Sequence, residues 1–309
     1  MGLTVVTEQD SHSRTYWIGE ISRLSGNFDI DSERVEQKMS EEITRDGIAP
    51  LLGHLRLCSA IPESYGHDSS EEKLYSKYTD VVIHEAYRAM GFTSLVLRER
   101  AGVADVECVC EDYSFVADAK AFRLSRTAKN QKDFKVEAMD TWKHGKPFAM
   151  VVCPVYQLPS RSSQIYQQAA ARSVCICTYT HLAVLVRFAE KIGRPHAIAL
   201  LHNVFKSVEA MNPSKNAGAY WQVVNRAFLD ADESIARIWR EEKIASLESI
   251  CIAREEALTF LARERERIMK LSREDAIQEV LKWRKIENRI RTVRSVADNG
   301  LLSFGENHE

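Results

Sequence analysis

The chain has 309 residues, enough for one large domain or two ordinary ones. With 45% apolar and 28% charged residues, and only 13 glycines and 7 prolines, its composition is that of a globular protein and excludes a disordered one. A net charge of −2 excludes binding to a polyanion through overall charge, so any affinity for nucleic acid must come from a local patch.

No run of apolar residues approaches the length of a membrane span, and the start, MGLTVVTEQD, lacks the basic and long apolar pattern of a secretion signal. Val6 stands where a myristoylation pattern requires Ser or Thr. The 7 cysteines, odd in number and mostly in apolar strand-like runs, read as reduced thiols of a cytoplasmic protein. Cys108 with Cys110 and Cys175 with Cys177 form C-x-C pairs, which lack the C-x-x-C spacing of zinc sites.

Residues 1–68 read as a helical support region in which Trp17, Ile18, Ile21 and Leu24 make a small amphipathic face, for structural support or a dimer contact. A turn-rich link at 64–70 leads to Ser69-Ser70-Glu71-Glu72, which opens a helix reaching about Met90 and stopping at Gly91. Leu74, Tyr78, Val81, Val82, Ala86 and Ala89 are its expected buried face, and mid-helix His84 and Glu85 read as structural. A strand is predicted over 103–109, with Asp105 near its start. Glu111-Asp112 reads as a turn, and the β-prone run from Tyr113 leads into Asp118-Ala119-Lys120. Further on come a helix over 136–142, a buried strand over 148–156, a polar loop over 159–164, a buried strand over 174–178 and a helix over 180–190. From 232 to about 294 the chain is predicted helical, with Ile235, Trp239, Leu247, Cys251, Leu258, Leu261 and Ile268 at helical spacing and a cap at Ser272. Asn299-Gly300 ends it, and the tail to Glu309 is expected to fray. The expected fold is α/β, a mixed central sheet flanked by helices, divided into an N-terminal region 1–68, a core 69–230 and a C-terminal helical arm 231–309 packed on that core.

The chemistry concentrates at the hairpin. Side chains two residues apart on a strand share a face, so Asp118 and Lys120 point the same way, and a turn at Glu111-Asp112 brings Asp105 beside Asp118. Two carboxylates suit Mg²⁺, with Mn²⁺ as a substitute, and a lysine in reach steadies a phosphate or an attacking water; the set fits metal-assisted phosphodiester cleavage. D-x-K alone is a weak motif. Its surroundings add Lys120, Arg123, Arg126, Lys129, Lys132 and Lys135, with Asp133 as the only acid among them. A spacing of three is not one helical stripe, so this reads as a cationic ribbon that turns at 125–127 and enters a helix near Lys129. The bland reading of such a run is a solvated charged face. Interleaved Asn130, Gln131 and Lys132 suit base edges in a major groove, and Asn130, Lys132 and Asp133 are the candidate readers. Arg123, Arg126, Lys129 and Lys135 are candidates for backbone contacts.

The run from Val116 to Lys135, VADAKAFRLSRTAKNQKDFK, closely resembles the corresponding stretch of the HindIII-like type II restriction endonucleases of the PD-(D/E)xK superfamily. The likeness continues more weakly over about 70–188, through Glu72 to Lys77, Pro154 to Gln164 and His181 to Ala183, and returns at Ser272 to Ile277. It implies a Mg²⁺-dependent double-strand cut at a palindromic six-base site, A/AGCTT, leaving 5′-phosphate ends. It also implies a homodimer on double-stranded DNA, and a cognate DNA methyltransferase in the same system. Asp105 and Asp118 would then be metal ligands, helped by the Ala119 carbonyl, with Lys120 as the catalytic lysine. The family's further acid falls on Arg98 in an ungapped register, which leaves Glu99 as an additional candidate displaced by one. The alternatives are a structure-specific repair nuclease of the same superfamily and a non-catalytic sequence-specific DNA-binding protein.

Overall fold

A computed structural model of the chain describes residues 4–98, 102–126 and 131–295. Its sheet grows from the predicted hairpin. The strands are β1 (Thr93–Val96), β2 (Val106–Val109), β3 (Ser114–Ala119), β4 (Phe148–Cys153) and β5 (Val174–Thr178), lying in that order across the sheet. β1, β2 and β3 are antiparallel neighbours, and β4 and β5 continue parallel to β3. The turn is tight: Cys110 N–H donates to Tyr113 C=O at 3.0 Å across Glu111-Asp112. β2 starts at Val106 rather than Val103, so Asp105 precedes the strand instead of lying within it. Its backbone is nonetheless tied on both sides, accepting from Leu97 N–H at 2.8 Å and donating to Ala117 C=O at 3.1 Å.

Twelve α-helices lie among the described residues. α1 (Glu8–Ile21), α2 (Phe28–Asp46) and α3 (Ile48–Leu57) precede α4 (Ser70–Met90). α5 (Val136–Trp142) and α6 (Gln164–Ala171) flank β4, and α7 (Tyr179–Lys191), α8 (Arg194–Glu209) and α9 (Ala217–Leu229) follow β5. α10 (Ile235–Met269), α11 (Arg273–Trp283) and α12 (Ile286–Arg294) complete the set. The ends of α4 obey their local chemistry: Ser69 accepts from Glu72 N–H, and Gly91 stops the helix with φ 105°. A short 3₁₀ helix, Gln131–Phe134, follows the cationic ribbon before α5, and the helix start expected near Lys129 lies outside the described residues.

Strand parity sorts the two faces of the sheet. The Phe115 ring meets Tyr87 of α4 and Phe205 of α8, with centroids 5.1 Å away in each case. Asp118, three residues on, belongs to the opposite face, where Lys135 and α5 stand. The core between them is fully closed: Phe115, Phe148, Met150, Val151, Ile176 and Val184 are all buried. The N-terminal helices contribute to the same core through Trp17, Ile21, Val35, Met39, Leu51 and Leu55. Leu24, expected on the amphipathic face of α1, lies past its end and is exposed.

Contacts divide the chain into two compact units, Met1–Ala257 and Leu258–Glu309. In the first, α10 buries only part of the apolar series read from its spacing: Ile235 is buried and Trp239 half-buried, whereas Leu247 and Cys251 are exposed. It buries Ile235, Ile238, Glu242, Ala245, Ser249 and Ala253, a stripe of period near 3.6 whose small residues allow close approach. Glu242 is tolerated there because Arg56 donates to it at 2.6 and 3.0 Å and Arg187 at 2.8 Å. The second unit holds the end of α10, α11 and α12. Leu258, Leu261 and Ile268 are exposed, Arg267 bridges Glu264 and Glu279, and neither α11 nor α12 contains a buried residue. No helix among the described residues is long and apolar enough to cross a membrane.

Candidate active site

The hairpin register builds the centre of the site. Val106 faces Ala117, so one step further along the same register Asp105 stands opposite Asp118. Directly opposed residues of an antiparallel pair have Cβ atoms about 4.5–5.5 Å apart on a shared face. Asp105 Oδ2 accepts from Ala119 N–H at 3.1 Å, which fixes its carboxylate at the C-terminal end of β3. Lys120 N–H donates to Val152 C=O at 2.8 Å, and Tyr179 Oη–H donates to the Lys120 carbonyl at 3.1 Å. With its backbone held by two neighbours, the Lys120 ammonium lies directly against Asp118 Oδ2.

Two groups join these three that the sequence did not bring to the site. Asp80 of α4 is buried and accepts from Lys77 Nζ at 3.0 Å. Burial and the charge on Asp118 push its carboxyl up to about 6, against the pull of Lys77 and Lys120. Asp105 is raised well above the usual carboxylate range by burial first, then by Asp80 and by Asp118. Burial alone would lower the Lys120 ammonium, but Asp118 and Asp105 outweigh it and hold it above its usual value. Lys135 Nζ stands 3.9 Å from Asp118 Oδ1 and 5.2 Å from the centre of the Trp142 ring. An aspartate one helical turn after a lysine, beside the apolar Tyr78, Val81 and Val82 of α4, was the available signal for Asp80. Nothing in the local sequence separates Lys135 from the rest of the ribbon.

Asp80, Asp105, Lys120 and Lys135 line a cleft of about 1140 Å³ whose walls come from α2, α4, the β1–β2 connection, the end of β3 and α5, and Asp118 is buried against Lys120 behind that wall. Burial and crowding disfavour ionisation of Asp80 and Asp105, and a divalent cation is the natural counter-charge for the cluster. A direct observation fits the metal: both Asp118 oxygens are fully buried, and neither accepts a hydrogen bond of regular geometry. The cluster His67, Asp68 and Glu72, with ligand atoms within 4.8 Å of one another, lies elsewhere, at the exposed start of α4. There Glu72 accepts from Asp68 N–H at 2.6 Å and from Arg123 Nε at 3.1 Å, which accounts for it as capping and pairing.

The other predicted contacts fall as follows. Arg123 donates to Glu72 and, at 2.9 Å, to Gly66 C=O, so it braces the ribbon against the start of α4. Arg126 lies over the Phe122 ring and donates to Asp133 at 2.5 Å, which pairs a backbone candidate with a base-reading one. Lys132 sits in the 3₁₀ turn, while Glu99, Lys129 and Asn130 lie outside the described residues. Arg98, where the family's acid falls, donates to Glu33 of α2 at 2.7 Å. His84 is buried as a structural residue, with Nδ1 2.9 Å from Ser94 Oγ.

Comparison with known proteins agrees with this geometry. The model of the HindIII restriction endonuclease family matches residues 14–297. The type II restriction enzyme HindIII of Haemophilus influenzae is 30% identical over 260 residues, which cover 82% of this chain and 85% of the relative.

Proposed function

The chain belongs to the HindIII restriction endonuclease family and is a type II site-specific deoxyribonuclease acting on double-stranded DNA, and on that premise we propose the details of its reaction. It cuts both strands at a palindromic six-base site, A/AGCTT, and leaves 5′-phosphate ends. Mg²⁺ is its cofactor, the cytoplasm its compartment, and a cognate methyltransferase protects the host site. Because a palindrome is two-fold symmetric, the enzyme acts as a homodimer with one active site per strand.

The observation that carries the mechanism is the buried Asp118 carboxylate, opposite Asp105 and against the Lys120 ammonium, the two residues that line the cleft in front of it. Asp105 and Asp118 hold the metal, with the Ala119 carbonyl as a further ligand. When bound, the ion supplies positive charge to the phosphate and acidifies a water. Lys120 turns its ammonium from Asp118 to a non-bridging phosphate oxygen and orients the attacking water. Water oxygen bonds to phosphorus as its proton passes to solvent, the P–O3′ bond breaks, and the departing 3′ oxygen takes up a proton from solvent. Asn130, Lys132 and Asp133 read base edges, while Arg123, Arg126, Lys129 and Lys135 face the backbone. For Asp133 this requires exchange of Arg126 for a base, and for Arg123 exchange of Glu72 for a phosphate.

Digestion of a plasmid of known sequence with Mg²⁺, beside an EDTA control, followed by sequencing of the ends, tests this reading. Ends within AAGCTT are expected. Discrete ends at another motif overturn the assigned specificity, smeared products favour a structure-specific nuclease, and an intact plasmid with Mg²⁺ overturns the catalytic roles.

A further inference from the structure

Residues 258–295 carry eleven Lys and Arg against six Asp and Glu, a net +5 in a chain whose total is −2. The excess gathers at the end: Lys282, Arg284, Lys285, Arg289, Arg291 and Arg294 lie within thirteen residues whose one acid is Glu287. All six are exposed. Among the described residues none of them forms an ion pair, and Glu279, one turn before Lys282, is held by Arg267. In the first unit the buried and half-buried Arg14, Arg34, Arg56, Arg123, Arg126 and Arg187 are each bonded to carboxylates, and its exposed arginines without an ion pair among the described residues, such as Arg161, Arg194, Arg226 and Arg240, are scattered along the chain. A cation committed to a carboxylate has little to offer a phosphate. Six cations without a carboxylate partner among the described residues, on one short segment, have a great deal.

We propose that this basic segment, Lys282 to Arg294, binds the sugar-phosphate backbone of duplex DNA without regard to sequence, an inference that rests on the reading of the enzyme as acting on duplex DNA. The nine residues of α12 span roughly 13 Å, a length over which duplex DNA presents about eight phosphate charges. A second copy of the chain is the less favourable occupant. Exposed Trp283 and Val293 offer apolar area, but a two-fold contact would bring two segments of net +5 together. Backbone contacts of this kind raise affinity for every sequence alike and favour sliding over discrimination.

The test uses the full chain with Arg289, Arg291 and Arg294 all changed to Gln, and a second variant with all three changed to Lys. Binding to a duplex carrying the recognition site and to an unrelated duplex of equal length is measured without Mg²⁺, between about 50 and 200 mM salt. Sedimentation velocity runs alongside. For the Gln variant the salt slope is expected to fall by nearly three, at about 0.9 per phosphate, and affinity for both duplexes to fall equally, on the order of a hundredfold at 0.1 M salt. The Lys variant keeps the charges and is expected to keep the slope. An unchanged slope in the Gln variant overturns the proposal. So does loss of a wild-type dimer with the slope intact, which makes the segment a protein interface. A wild type that binds neither duplex overturns the proposal together with the reading beneath it.

Discussion

Lys135 brings its ammonium to 3.9 Å from Asp118 Oδ1, on the side of the carboxylate away from Lys120. It reaches there because its backbone is left-handed, φ 45°, at the junction of the 3₁₀ turn and α5, and because Trp142 lies under the ammonium. That position makes it part of the cleft as well as of the cationic ribbon. Lys135→Ala is expected to lower the single-turnover cleavage rate at saturating enzyme by about a hundredfold, the cost typical of one lost electrostatic donor at a reacting centre. A normal rate, with only the salt slope reduced by about one, would return Lys135 to a plain backbone contact.

Asp118→Asn keeps the shape of the buried side chain and removes its charge. Cleavage is expected to fall by at least about a thousandfold, while binding to the recognition duplex without Mg²⁺ is retained, since the cleft loses a negative charge facing phosphate. Loss of specific binding with residual cutting would contradict the role given to Asp118.

Asp80 shapes the charge that the metal meets. With Asp80→Asn the cluster loses one of its three carboxyl groups, so the Mg²⁺ concentration for half-maximal cleavage is expected to rise about tenfold, or about 1.4 kcal/mol. A magnesium titration of the cleavage rate reads this directly. An unaltered midpoint would reduce Asp80 to a partner of Lys77.

Glu242 is almost fully buried between Arg56 and Arg187, and its removal leaves Arg187 with Glu241 but Arg56 with only Asp10, at 4.0 Å. Glu242→Gln is expected to cost about 3 kcal/mol in urea unfolding, in the range for breaking a buried pair. A change under about 0.5 kcal/mol, the scale of an ordinary surface substitution, would show that the arginines find other acids.

His181 is buried and neutral. Its Nδ1 lies 3.2 Å from the donating Thr178 N–H and 2.7 Å from Thr178 Oγ1, and Nε2–H donates to Asn225 Oδ1 at 3.1 Å. Burial lowers its folded value from 6.5 to about 4. Between those values the unfolded chain binds a proton that the folded chain refuses, so stability falls as pH drops from about 6.5 to 4, by about 3 kcal/mol in all. His181→Gln is expected to remove this contribution, leaving the similar one of buried His84, in urea titrations at several pH values. A variant that keeps the full wild-type slope there would refute the assignment.

How much of this was legible in the sequence follows from the range of the interactions involved. The hairpin was, because the two residues of its turn fix the register: once Glu111 and Asp112 sit at the bend, counting outward sets Asp105 opposite Asp118. Lys120 then shares the Asp118 face by strand parity alone. The caps of α4 and the buried strands β4 and β5 were legible for the same local reason. What only the tertiary structure decided involves partners distant along the chain. Asp80 becomes a site residue because α4 packs beside β2 and β3, and Lys135 because the chain turns back over β3 before α5 begins. Arg98, Arg123 and Arg126 look alike as cations in the sequence, yet Glu33, Glu72 and Asp133 claim them one by one. The buried stripe of α10 was misread because size decides that contact: Ala245, Ser249 and Ala253 fit where Leu247 does not. Spacing along a strand or a turn is set by backbone geometry and can be counted, whereas burial and pairing depend on which distant surface arrives, and that is settled only when the whole chain packs.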